Sequence, residues 1–251
     1  MLLTACAIAL VLDLHAGSRV VERSLYDDRV NWVLPPDRLE SFRRGGVVID
    51  EDKRTTLVAE TTVTQAPHHL MNLRGSLQET ATDVPRHRTT NEVVQISTTV
   101  TPRNTAVPAS VLDLEEAGMV ELPEGRVCVG QTWRTRLPVV TTLGSGTATI
   151  DHTVVKVDGR FVDVAIKGSG VISGMEYNLP RLLPGAIGIS GTARYDRKMG
   201  TMTSESYTVH NRLIRTVKDK TIGFLEMETV SIKTMVTAPA TGSAPQPDPP
   251  R

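Results

Sequence analysis

From Thr132 to Val236 the chain is a succession of runs rich in Val, Ile and Thr, cut by short turns containing Gly and Asp. That pattern restricts the fold to antiparallel β-sheet, because alternate side chains of a strand face opposite sides. In Arg160 to Lys167, Val162, Val164 and Ile166 fall on one side, as a half-buried strand requires. The preceding run, Thr147 to Val157, leads into Asp158-Gly159, which predicts a hairpin with a type I′ turn. Ile187 to Arg194, Met202 to His210 and Phe224 to Val236 read as further strands. Loops are expected at Gly144-Ser145-Gly146, Asp196 to Gly200 and Lys218 to Gly223.

The first half reads the same way with more interruptions. A strand with a turn at Asp27-Asp28 is expected between Gly17 and Asn31. Pro35-Pro36 ends it, and a short helix follows over Asp37 to Arg44, capped by Asp37 and stopped by a left-handed Gly45. Strand signals return at Val47 to Asp50, Thr55 to Thr64, Leu70 to Glu79 and Arg88 to Thr101. In the last, Val94, Ile96, Thr98 and Val100 should pack inward, opposite a wet face of Gln95, Ser97 and Thr99. A second short helix is expected at Val111 to Ala117, before a crossing segment from Leu122-Pro123 to Trp133. Leu179-Pro180 and Leu182-Leu183-Pro184-Gly185 read as a buried loop under the sheet, plugging one end of the core. The expected fold is therefore mainly β: a large curved antiparallel sheet or open (half) barrel with one or two short helices, forming a single domain over residues 17–236. Residues 237–251 form a Pro-rich tail unable to bury apolar surface.

Lys plus Arg and Asp plus Glu both number 28, so no net field draws the chain to nucleic acid, and three Phe, four Tyr and two Trp provide no stacking platform. Residues 1–16 begin with an apolar run, Met1 to Leu12, of the length of a secretory h-region. It lacks a basic n-region and a small-x-small cleavage site, and a true start upstream of Met1 would account for the first of these. Leu3-Thr4-Ala5-Cys6 resembles the bacterial lipobox, which would make Cys6 a lipid attachment site and tether the domain to a membrane through its N-terminus. The expected location is exported, periplasmic or envelope-associated, or cytoplasmic if the segment is not a signal. Cys128, between Val127 and Val129, reads as a small buried hydrophobe.

Chemistry has little support. The six histidines, His15, His68, His69, His87, His152 and His210, show no metal-ligand spacing, and neighbours such as His68 and His69, or Asp151 and His152, diverge if they lie in strands. No nucleophile elbow or phosphate loop occurs, and Ser145 reads as a loop serine. Glu226 and Glu228 share a strand face without the aromatic platforms of a glycosidase. No cofactor and no catalytic residue is assigned. A hydrolase would need two or more of Asp163, His152, Glu226 and Glu228 to converge in a polar pocket.

Leu122-Pro123, Val127, Val129-Gly130, Thr132 and Trp133, followed by Gly191 to Asp196 and Gly200-Thr201-Met202, resemble an uncharacterised group of bacterial exported, often lipid-anchored β-rich proteins. In that group a long meander follows the tryptophan, and an aromatic-Asp turn joins two late strands. In architecture the chain also resembles the half-barrel of LolA-type lipoprotein carriers, whose concave apolar face holds acyl chains. The resemblance implies a non-catalytic domain binding a lipid, another apolar or amphipathic ligand, or a protein partner on a curved sheet. Trp133, Val162, Val164, Ile166, Leu182 and Leu183 would contribute to that apolar face. A structural or adhesion module of the envelope is the alternative.

Overall fold

The structure, a computed structural model, describes residues 8–46, 50–65, 69–104, 106–107, 120–141, 144–174, 182–217 and 220–238. They form β1 (Ile8–Ala9), β2 (Arg19–Val33), α1 (Pro36–Arg44), β3 (Asp50–Gln65), β4 (Met71–Asp83), β5 (Arg88–Val100), β6 (Ala106–Val107), β7 (Arg126–Val127), β8 (Thr132–Thr141), β9 (Gly144–Asp158), β10 (Phe161–Gly174), β11 (Leu182–Asp196), β12 (Thr201–Val217) and β13 (Lys220–Ala238). Eleven strands make one antiparallel sheet in the order β6-β5-β4-β3-β2-β13-β12-β11-β10-β9-β8. It is an up-and-down meander whose first and last long strands, β2 and β13, pair in the middle. The two margins are therefore β5 with its short partner β6 on one side, and β8 on the other. Although β5 and β8 are consecutive long strands, they are not neighbours in the sheet, and the result is a curved, open barrel with a seam.

Alternation sorts the side chains. On β9 to β12, Ala148, Ile150, Val162, Val164, Ile166, Ile187, Ile189, Val209 and Leu213 are buried on the inner face. The outer face carries cross-strand ion pairs, Arg134 with Asp151, Arg194 with Asp163 and Arg212 with Glu226. These paired charges on β8 to β13 are solvated by water. Inward-facing glycines permit the curvature: a Cβ on Gly170 would come within 2.1 Å of the Thr147 carbonyl oxygen, and one on Gly191 within 2.3 Å of that of Ser206. Without side chains at these points the strands can bend inward and approach closely.

The end of the barrel where β2 begins is filled by the chain itself. Leu10, Leu12 and Leu14 are buried in the core, as are Val120 and, in the crossing segment, Leu122 and Val127. Backbone bonds fix the N-terminal stretch: Leu12 N donates to Pro102 O, Asp13 N to Gly200 O, and Ile8–Ala9 pairs with Arg126–Val127. Tyr195 closes the contact, its hydroxyl donating to Val11 O and accepting from Val11 N. Leucines read above as part of a candidate export signal thus belong to the folded core. At the opposite end, Leu39 and Phe42 of α1 pack on the core, and Phe42 meets Trp32 edge-on with ring centroids 5.3 Å apart.

Several local expectations are corrected. No turn interrupts β2 at Asp27-Asp28: alternation sends Asp27 outward to Arg29 and Arg54, and Asp28 inward to accept the Thr229 hydroxyl at 2.6 Å. The helix starts at Pro36 after Pro35, with no side-chain cap, and the left-handed residue is Gly46 rather than Gly45. The β9–β10 loop is Gly159-Arg160, since Asp158 pairs with Phe161, and neither loop residue has positive φ. The Asp158 carboxylate accepts the Phe161 N–H instead, and a bulge at Val155 takes up the mismatch in twist. Gly144 to Gly146 lie in β9 and Leu182 to Gly185 in β11, so neither is a loop, and Pro184 sits at a register shift where no ladder bond is needed. β13 begins at Lys220, inside the expected loop, and runs on through Ala238. β5 is exposed on both faces from Arg88 to Gln95, a stretch where no described residue pairs with its far edge. Cys128 is half-buried rather than buried. The expected turn at Asp196 to Gly200 is present, with Asp196 accepting from Arg160 and from the Lys198 and Met199 N–H groups. Cys6, His68, the helix expected at Val111 to Ala117, and Leu179-Pro180 lie outside the described residues.

Candidate functional site

The base of the seam is held by two side chains that grip one segment. Arg103, just past β5, donates through Nε to Leu122 O at 3.0 Å and forms ion pairs with Glu121 and Glu124. From the other margin, the Trp133 indole N–H donates to Glu121 O at 2.7 Å. Trp133 is half-buried against the core and stacks on His152, with ring centroids 5.1 Å apart. It therefore anchors the crossing segment to β8. Among the other residues predicted for an apolar face, Val162, Val164 and Ile166 are 0%, 1% and 3% exposed, deep in the covered part of the interior. Leu182 and Leu183 are the first residues of β11. The sequence pattern placed the three β10 residues on the inner side, and no signal in it showed that the chain's own N-terminal leucines fill the same end.

His152 is fully buried, with Nε2 2.9 Å from the Thr135 hydroxyl and Nδ1 without a partner. Burial holds its pKa down at about 4, against the opposing pull of Asp151. An unfolded histidine titrates near 6.5, so as pH falls the unfolded chain takes up the proton first. The contribution is fully present above about pH 6.5 and is lost as pH drops toward 4, about 3 kcal/mol in all. Urea midpoints measured across that window should fall steeply for the wild type and much less for His152→Phe. Equal slopes would contradict this assignment.

Midway along the barrel the inner face turns polar. Lys233 is 4% exposed, and its Nζ lies 2.9 Å from Glu22 Oε1. Glu205, 3% exposed, is its register partner on β12. Burial works against the ammonium, but Glu22 and Glu205, with Tyr26 and Tyr207, outweigh it and hold the pKa above the ordinary lysine value. Sequence reading passed over Lys233 because lysine at an inward strand position looks like a solvated residue, and only its two carboxylate neighbours, distant in sequence, reveal its state.

The less covered part of the inner face lies on β4 and β5, together with Ala59 of β3. Registers align it in rows across the three strands, running from the packed end outward: Val63-Leu73-Thr98, Thr61-Gly75-Ile96, Ala59-Leu77-Val94, Leu57-Glu79-Glu92, Thr55-Ala81-Thr90 and Lys53-Asp83-Arg88. Thr55, Leu57, Thr61, Val63 and Ala81 are buried, whereas Ala59, Leu77 and Ile96 are half-buried and Val94 is 38% exposed. An accessible apolar row is thus bordered by carboxylates and then by a mixed charged rim.

The acids and histidine weighed for hydrolysis do not converge. His152 faces inward, Asp163 points outward to Arg194, and Glu226 and Glu228 point outward to Arg212 and His210. A shallow depression on β8 to β10, lined by Arg136, Thr147, Thr149, Ser169 and Val171, brings together no acid or base, and its one charge is the Arg136 guanidinium. Among the described residues no three His, Cys, Asp or Glu are grouped to hold a metal, and no helix is long and apolar enough to cross a membrane.

No protein-family model matches the chain, and no curated protein matches it. Among solved structures it is similar to an outer membrane channel from Pseudomonas putida F1, at 9% identity and TM-score 0.32, covering 90% of this chain and 97% of that one. It is also similar to OccK11 (OpdR) from Pseudomonas aeruginosa, at 7% identity and TM-score 0.26, over 90% and 98%. A Rhodopseudomonas blastica porin variant overlaps at 5% identity and TM-score 0.22, over 86% and 100%. With TM-scores of 0.32 or less, these likenesses are too slight to bear on what the chain does.

Proposed function

We propose that the protein is a non-catalytic domain of the cell envelope that holds an amphipathic ligand on the less covered inner face of β3 to β5. One observation carries this reading: Ala59, Leu77, Val94 and Ile96 face the interior and stay accessible, while the apolar inner face of β9 to β12 is buried. A concave apolar surface bordered by a few charges suits a ligand with an apolar chain and a polar head. The head would lie toward Glu79, Glu92 and the Lys53-Asp83-Arg88 rim. Val162, Val164 and Ile166 then serve as packed support behind the site, and Trp133 as the anchor of the seam. Envelope placement rests on the resemblance to exported, often lipid-anchored β-rich proteins and on the lipobox-like Leu3 to Cys6. Lipid on Cys6, two residues before Ile8, would hold the filled end of the barrel at a membrane.

Native mass spectrometry and organic extraction of the purified full chain test this. The wild type should release a bound amphipath, and Leu77→Asp, at a half-buried site that tolerates a polar group, should retain at least tenfold less. A bare polypeptide mass for the wild type, with no uptake of an apolar fluorescent probe, would contradict the reading.

A further inference from the structure

His152 sits behind a latch. Trp133, its register partner on β8, stacks on its ring and donates the indole N–H to Glu121 O at 2.7 Å, so one side chain both covers the imidazole and ties the crossing segment to the sheet. His152 is fully buried, Nε2 hydrogen-bonds the Thr135 hydroxyl, and Nδ1 has no partner. A protonated imidazole carries N–H on both nitrogens whichever tautomer precedes it, so the cation would bury a charged donor without an acceptor. Stacking on the indole attracts that cation but supplies no acceptor for Nδ1–H. Trp133 and Thr135 on β8 and Ile166 on β10 are uncharged, Arg134 and Asp151 pair with each other on the outer face, and Glu121 and Glu124 both pair with Arg103. Among the described residues only Asp151 acts on the ring as a charge, and burial outweighs it.

We infer that protonation of His152 releases this latch: Trp133 swings away so that water reaches the imidazolium, and the crossing segment loses its hold on β8 at Glu121. The grip from the other margin, Arg103 on Leu122 O, Glu121 and Glu124, persists until those carboxylates protonate at about pH 4. Over the range from pH 7 to pH 5, His152 is therefore the group of the latch that titrates. The open form binds the proton more tightly than the closed one, so acid favours opening. With His152 held at about 4 in the closed form and near 6.5 once hydrated, the opening equilibrium should rise roughly 20-fold from pH 7 to pH 5. This opening differs from the global loss of stability in acid, because the long strands stay paired while the seam lets go. It is also independent of the ligand-binding reading, since it uses β8, β9 and the crossing segment rather than the inner face of β4 and β5.

Hydrogen exchange of the Trp133 indole proton tests this, followed by nuclear magnetic resonance on the full chain, corrected for intrinsic exchange and assigned with Trp32→Phe. Its protection should fall roughly 20-fold between pH 7 and pH 5, while the backbone amides of β11 stay better protected than it throughout. In His152→Phe and His152→Gln, which cannot take up the proton, the same protection should stay nearly constant. Exchange of the wild-type indole that does not respond to pH would overturn the inference, and so would an equal response in a folded His152 variant. A third contrary result is a Trp133 indole that exchanges in step with the β11 amides, since the event would then be global unfolding. The two wild-type readings decide the matter even if neither variant folds.

Discussion

Removing residues 1–16 should leave a chain that does not fold cooperatively. The segment delivers Leu10, Leu12 and Leu14 into the core at 1%, 5% and 6% exposure, where they fill that end of the barrel together with Val120, Leu122 and Val127. Truncating one buried leucine to alanine typically costs about 2–5 kcal/mol, so losing all three approaches the whole stability of an ordinary domain, about 5–15 kcal/mol. The segment also supplies backbone partners to Pro102 and Gly200 and contacts the Tyr195 hydroxyl, groups that its removal would leave exposed or unpaired. Urea denaturation followed by circular dichroism should show a broad, early transition for the truncated chain. Leu12→Ala alone should lower stability by about 2–5 kcal/mol. A truncated chain that unfolds at the wild-type midpoint would show that the stretch only lies against a core complete without it.

The second large effect is expected at Lys233. Replacing it with Met keeps the bulk of the side chain but leaves Glu205, 3% exposed, and the partly buried Glu22 without their cation. Removing one partner of a buried ion pair typically costs about 3–5 kcal/mol, whereas replacing the whole group by neutral residues of similar shape is often neutral. Lys233→Met should therefore be strongly destabilised, and adding Glu22→Gln and Glu205→Gln should recover much of the loss. The comparison separates a charge effect from a packing effect. If the three changes together are no better than Lys233→Met alone, the cluster is held by shape and not by charge.

Period-two alternation was sufficient to place Val162, Val164 and Ile166 inward and to identify the fold as a curved, mainly β sheet, because burial on one face of a strand leaves a direct trace in composition. Asp27-Asp28 shows where turn chemistry misleads: within a strand the two carboxylates go to opposite faces, and each finds a partner that adjacency cannot reveal. Gly144 to Gly146, and Leu182 to Gly185 around Pro184, read as loops because glycine and proline usually mark them. In this sheet they mark points of curvature and a bulge. The apolar run at the N-terminus has the same composition whether it enters a membrane or a core, so only its contacts with Pro102, Tyr195 and Gly200 show what Leu10 to Leu14 do. The less covered row at Ala59, Leu77 and Val94 was illegible for a related reason. Its strands carry the same alternation as the covered ones, and exposure depends on which segments fold over them.

Photoaffinity labelling with a long-chain amphipath bearing an apolar diazirine, mapped by peptide mass spectrometry, tests most directly whether the inner face of β3 to β5 is the binding surface. Saturable labelling concentrated on Ala59, Leu77, Val94 and Ile96 is the predicted result. Labelling spread over the outer face, or none that an unlabelled amphipath can displace, would contradict it.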